Sequence, residues 1–213
     1  VCLDVVYNHL GPSGNYLSSF GPYFTQRHQT PWGPAVNLDD KGSDEVRRFL
    51  CDNALRWFEE FDVDALRLDA VHALVDDSPR HLLAQLADEV DALEERLGRP
   101  LTLIAESDLN DPVVLDPVHP PEGTPSGWGM DAQWSDDFHH AVHATLTGDT
   151  SGYYCDFEGL DLVARTLREV FRHAGEVSQF RGRPWGRPVD PDRHRGHRFV
   201  TYLQNHDHVG NQI

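Results

Sequence analysis

Three acidic residues follow short apolar runs: Asp69 after VDALRL, Glu106 after LTLIA, and Asp207 a few positions after FVTYL. A carboxylate at the exit of a buried strand is costly to desolvate unless chemistry or a partner keeps it there. Three at comparable positions point to one shared pocket, and so to an enzyme. Arg67 stands two residues before Asp69, which in a strand puts both side chains on one face. The adjacent cation favours an ionised carboxylate; that suits a nucleophile and equally describes a stabilising ion pair. Glu106 has no basic neighbour in sequence, an environment expected to raise its pKa and produce a general acid; an exposed glutamate opening a loop is the alternative. One carboxylate held charged and one held protonated, roughly 5–5.5 Å apart, are what retaining glycoside hydrolysis requires. Asp207 would then grip the hydroxyls of a distorting sugar, with His9 and His206 as neutral donors beside it.

Sugar rings stack on flat apolar faces, and Tyr7, Tyr16, Phe20, Tyr23, Phe24 and Trp32 cluster in and around one long segment. Singly, each is read as packing that segment on the body of the protein. Trp57 and Phe58 lie on a helical stripe and are read as core. The pair His139/His143 has helical spacing but no closed ligand set, so no metal is expected there.

These residues need elements to hold them. Val1–Val6, Val63–Leu68, Leu101–Ala105, Met130–Trp134 and Phe199–Leu203 read as continuously apolar strands. Helices fall between most of them. One is expected to be capped by Ser43, with a stripe through Val46, Phe49, Leu50, Ala54, Trp57, Phe58 and Phe61. Another should start near Ser78-Pro79 and stop at Gly98; a third should be capped by Ser135 with Phe138, Val142 and Leu146 inward; a fourth should span about 160–173. The Gly/Pro/Asn-rich stretch 11–42 reads as a functional loop, and 181–196 as a basic loop in an acidic chain. Continuous apolar strands alternating with helices are the signature of a parallel sheet buried on both faces, hence an α/β fold. Of the open and closed forms of such a sheet, a partial barrel fits better: no Gly-rich phosphate loop follows any strand, and functional residues follow four of them.

The 213 residues carry a formal charge of −17, which disfavours nucleic acid and anionic membrane surfaces as partners but places no penalty on a neutral sugar. Cys2, Cys51 and Cys155 are odd in number and scattered, and read as reduced, partly buried thiols. With no apolar run of spanning length and no leader-like segment, the expected compartment is cytoplasmic. The chain opens inside an apolar run and closes just after a motif, so it is read as a fragment.

Four stretches now take on a common meaning. DVVYNH (Asp4–His9), ALRLDAVHA (Ala65–Ala73), IAESD (Ile104–Asp108) and LQNHDHVGN (Leu203–Asn211) resemble, in order, the four motif regions of the α-amylase superfamily, glycoside hydrolase family 13. The resemblance implies a (β/α)8 barrel, of which residues 1–213 would supply strands three to seven, with strands one, two and eight missing and 11–42 inserted after the first strand present. It implies Asp69 as nucleophile, Glu106 as acid/base and Asp207 as transition-state stabiliser. Arg67, His9 and His206 would line the sugar subsite, Asp4 and Asn8 would support the first strand end, and Tyr7 and Trp32 would contribute to binding. No cofactor and no metal are implied, since no acidic calcium-ligand cluster is evident in 11–42. Within the family, NHLGPSGNYL, PWGPAVNLD, AESDLNDP and DAQWSDDFHHAVH are similar to a branch that hydrolyses the α-1,4 bond beside a terminal trehalose unit, with His208 standing where that branch is expected to carry Gln. Branching and debranching enzymes of the same superfamily are the alternative.

Overall fold

The computed structural model describes residues 1–208 and divides into two compact units, Val1–Glu106 with Val113–Asp131, and Ser107–Pro112 with Ala132–Ile213.

In the first unit, β1 (Cys2–Val5) is followed by a hairpin of β2 (Phe24–Thr30) and β3 (Gly33–Val36), then α1 (Ser43–Glu60), β4 (Ala65–Leu68), a 3-10 turn (Val71–Ala73), α2 (Leu82–Leu97) and β5 (Thr102–Ala105). The three strands β1, β4 and β5 run parallel in the order β1-β4-β5, with Asp4 opposite Arg67 and Arg67 opposite Ile104. Parallel pairing needs a crossover, and α1 and α2 supply it. Leu66, Leu68, Leu103 and Ala105 are buried, as are Ala54 and Phe58 of α1 and Leu83, Leu86 and Val90 of α2. Burying a side chain the size of Phe58 contributes about 2–3 kcal/mol.

Several boundaries differ from those the sequence suggests. The stretch 11–42 is not all loop: β2 and β3 pair antiparallel inside it. The residue before the first helical turn of α1 is Gly42 at φ 79°, and Ser43 is already helical, so no serine side chain caps it. Phe49 and Phe61 of the expected stripe are about half exposed. The second helix begins three residues after Pro79, because the His81 ring accepts the Leu83 N–H and serves as its cap. Gly98, at φ 66°, closes it as expected, its N–H returning to Glu94 O at 2.8 Å.

The second unit has β6 (Ala132–Trp134), α3 (Asp136–Thr147), α4 (Leu160–Glu169), a short hairpin of β7 (Val177–Ser178) and β8 (Arg183–Pro184), and β9 (Phe199–Val200) parallel to β6. Ala141, Ala144, Tyr154 and Phe157 form its core with Leu162 and Val163 packed against them. On α3 the buried residues are Asp137, His139, Ala141 and Ala144 rather than the Phe138/Val142/Leu146 stripe, and Leu146 is exposed. The alanines permit close packing, and Asp137 finds donors inside. The Ser135 side chain donates to Val170 O instead of capping α3. The fourth helix ends at Glu169, short of 173, because Val170 adopts a left-handed φ of 71°, a conformation a β-branched residue cannot propagate. The basic stretch 181–196 contains β8. Among the described residues no helix is long and apolar enough to cross a membrane.

Candidate active site

The site grows from one register. Because β1 pairs with β4 so that Asp4 faces Arg67, and β4 pairs with β5 up to Leu68 opposite Ala105, one residue before Asp69 and Glu106, all three acids converge on a single guanidinium. Arg67 Nη1 donates to Asp4 Oδ1 and to Asp69 Oδ1, each at 2.8 Å, and Nη2 lies 2.9 Å from Glu106 Oε1. Its side chain is 5% exposed, against 22% for Asp69 and 16% for Glu106. Burial opposes the charge on Arg67, but Glu106, Asp4 and Asp69 more than offset it and raise its pKa. Glu106 therefore does have a basic neighbour, supplied across the sheet by β4 rather than along the chain, and the apolar isolation expected for it does not hold.

Asn8, fully buried, donates from Nδ2 to the Asp69 carbonyl at 2.7 Å and to Asp69 Oδ2 at 2.9 Å. Its Oδ1 lies 2.6 Å from His9 Nδ1, which fixes the imidazole next to the carboxylates. The Trp32 ring stacks on His9 with centroids 4.4 Å apart and planes 9° from parallel. Just past Asp69, Ala70 sits at a left-handed φ of 39°, and its N–H donates to Glu106 Oε2 at 2.7 Å. Backbone strain of this kind, on the order of 1–3 kcal/mol, persists only where surrounding contacts over-determine it. Tyr7 points elsewhere, its hydroxyl donating to Asn53 of α1 at 2.8 Å.

In the second unit, Asp207 lies in a turn seven residues past the end of β9, which stops at Val200 and not at Leu203. The Asp207 side chain is 56% exposed, with His206 Nε2 3.5 Å from its Oδ1. Asn205 Oδ1 accepts the Asp207 N–H at 3.0 Å. His208 stacks on His139 at 3.7 Å, and burial, aided by the neighbouring His139, pushes its pKa down to about 4. It is neutral near pH 7.

Sequence reasoning missed two groups. A cavity of about 210 Å3 in the second unit is lined by Asp108, His140, Tyr153, Phe180, Arg181 and Trp185, among others. Arg181 bonds Asp108 at 2.6 Å and lies 3.9 Å above the Trp185 ring. The signal in the sequence is RGRPWG, at the start of the stretch 181–196 read only as basic. The other group is His28, Asp39 and Asp77, whose potential ligand atoms lie within 4.8 Å of one another. No such cluster is evident along 11–42 because Asp77 comes from outside it. Of the cysteines, Cys2 is exposed rather than partly buried; Cys51 is buried, and burial pushes its thiol up to about 12.

A parallel α/β sheet with a carboxylate pair on one arginine at its strand ends is the class of arrangement found here, and comparison with known proteins names the class. The chain is 53% identical over 212 residues to a malto-oligosyltrehalose trehalohydrolase from Arthrobacter ramosus and 49% identical over 213 residues to one from Saccharolobus solfataricus, each match covering all of this chain and 36% of the relative. A crystal structure of a provisionally named α-amylase from Salmonella typhimurium superposes with a TM-score of 0.84 at 37% identity, over all of this chain and 35% of that one. No family-wide sequence profile matches. Over its whole length the chain is thus similar in sequence to malto-oligosyltrehalose trehalohydrolases and in fold to part of an α-amylase. It spans about a third of the length of these relatives.

Proposed function

We propose that these residues are part of the catalytic (β/α)8 barrel of a retaining glycoside hydrolase that releases trehalose from malto-oligosyltrehalose. The observation that carries the reading is Arg67, which holds Asp69 and Glu106 at the two ends of one guanidinium. Asp69, paired with Arg67 and oriented by Asn8, attacks the anomeric carbon while Glu106 protonates the departing glycosidic oxygen, leaving a glycosyl ester on Asp69. Glu106 then takes a proton from water, and that water cleaves the ester. Asp207 and His206 steady the distorting sugar, and His9, with Trp32 against it, forms a wall of the subsite; Asp4 contributes from the first strand through its bond to Arg67.

Barrel strands three to seven, with residues 11–42 as an insertion and strands one, two and eight outside this chain, are the architecture we infer. A neutral α-glucan is the partner that suits a chain of charge −17; neither cofactor nor metal enters the proposed steps. The cytoplasm is the compartment inferred from three scattered, unbonded cysteines.

The branching-enzyme alternative has less support: a branching enzyme from Trichodesmium erythraeum is 37% identical over only 35% of this chain. Product analysis with the full-length protein separates the two. Free trehalose from malto-oligosyltrehalose is expected; a change in α-1,6 branching with no trehalose released would reject the proposal.

A further inference from the structure

The hairpin of β2 and β3 carries Trp32 at its turn, and a charged cluster fastens that hairpin to the segment after the 3-10 turn that follows Asp69. His28 Nε2 lies 2.8 Å from Asp39 Oδ2 and 3.8 Å from Asp77 Oδ2. Arg27 spans the same two carboxylates at 3.7 and 3.5 Å, and the Asp77 N–H donates to Asp39 Oδ2 at 2.9 Å. The Asp39 side chain is only 1% exposed, and its Oδ1 has no hydrogen-bond partner among the described residues. A buried carboxylate in that state is expensive unless its other oxygen is strongly held. Burial pushes its pKa up, yet the Asp77 amide, His28 and Arg27 outweigh that and hold it below the usual value. Beside it, the buried Arg47 donates to Leu38 O at 3.1 Å and to Asp76 at 2.6 Å, crossing the same gap.

None of these residues touches the carboxylates at Arg67. They connect to them through Trp32, which stacks on His9, which bonds Asn8, which holds Asp69. We propose that Asp39, with His28 and Asp77, is a positioning latch: it fixes the hairpin so that Trp32 stays on His9 and presents its outer face to the sugar. The inference rests on the proposed glycosidase reading for its effect on turnover, but not for its effect on Trp32. Without the latch the hairpin is free to lift, the stack opens, and substrate binding weakens while the carboxylates keep their geometry.

The test uses the full-length protein. Asp39→Asn is expected to raise KM for malto-oligosyltrehalose about tenfold with kcat within about twofold, and to add less than about twofold to KM in a Trp32→Ala background, because coupled residues are non-additive. Asp77→Asn, at an exposed end of the latch, should move KM the same way by about two- to fourfold and guards against misfolding of the first variant. An equal KM penalty in both backgrounds would overturn the latch. Independently of activity, acrylamide quenching of Trp32 emission, taken as the difference from Trp32→Phe, should rise in Asp39→Asn. If it is unchanged the latch is wrong, whereas a protein inactive on every α-glucan but with exposed Trp32 would reject the glycosidase reading alone.

Discussion

Asp69 and Glu106 of the first unit share a sequence pattern with Asp207 of the second unit, each being a carboxylate after an apolar run, yet the structure holds them in opposite ways. The first two are mostly buried and fixed by strand register: one arginine, one asparagine and one strained amide hold their oxygens. Asp207 is more than half exposed, in a turn closed by Asn205 and followed by His208, which stacks on His139. Groups that must attack and deliver a proton need fixed geometry before substrate arrives, whereas a group that grips a distorted sugar gains its contacts from the sugar itself. On the proposed function, the contrast assigns chemistry to the register and recognition to the turn.

The largest effect that could break this contrast is at Asp69. Asp69→Asn should cost on the order of 10^4-fold or more in kcat with the fold retained, measured by turnover alongside circular dichroism. Substantial residual activity would move the nucleophile elsewhere. Arg67→Met comes next, since it leaves three carboxylates facing one another: urea unfolding should show a loss of about 3–5 kcal/mol. Arg67→Lys should rescue little, because a single ammonium cannot serve both ends of the fork. A stability unchanged in either variant would mean the arginine is not what holds the acids.

The second unit has its own buried acid, which sharpens the comparison through pH. Asp137 is pushed up to about 7, chiefly by burial and also by Asp136, against the amides of Arg172 and His173 and the side chain of Asn110, which favour its charge. The folded state thus keeps its proton where the unfolded chain, near pH 4, has lost it. Stability from this group is present at low pH and is lost as pH rises from about 4 to 7, at up to about 1.4 kcal/mol per unit. Asp137→Asn should flatten that part of the stability profile; an unaltered slope would show that Asp137 ionises freely. The smallest effect is expected at His208. Already neutral above about pH 4, it can be replaced by Gln with less than about a threefold change in kcat and no shifted limb in the pH–rate profile between about pH 5.5 and 8. A displaced limb would assign it the titration that the first unit is expected to supply.

What could be read from the chain follows the same division. Strands β4 and β5, the Arg67–Asp69 pair and the helices between were legible because they depend on spacing within one segment. The Arg67–Glu106 bond was not, because it depends on how two segments align, and one step of register decides it. Tyr7 illustrates parity: it neighbours Asn8 in sequence, yet its hydroxyl meets α1 while Asn8 meets Asp69. The buried residues of α3 are not its apolar stripe because donors draw Asp137 inward, and side-chain size along the chain does not reveal them. The latch at Asp39 was invisible for a simpler reason: Asp77 is 38 residues away along the chain.

The central claim, that Asp69 in the register-built node is the nucleophile, is tested most directly by trapping its ester. Full-length protein would be treated with a 5-fluoro maltosyl fluoride and digested, and the labelled peptide sequenced by mass spectrometry. A single glycosyl adduct on Asp69, absent from Asp69→Asn, is the predicted result. An adduct on Glu106 or Asp207, or turnover of natural substrate with inverted anomeric configuration and no adduct, would contradict it.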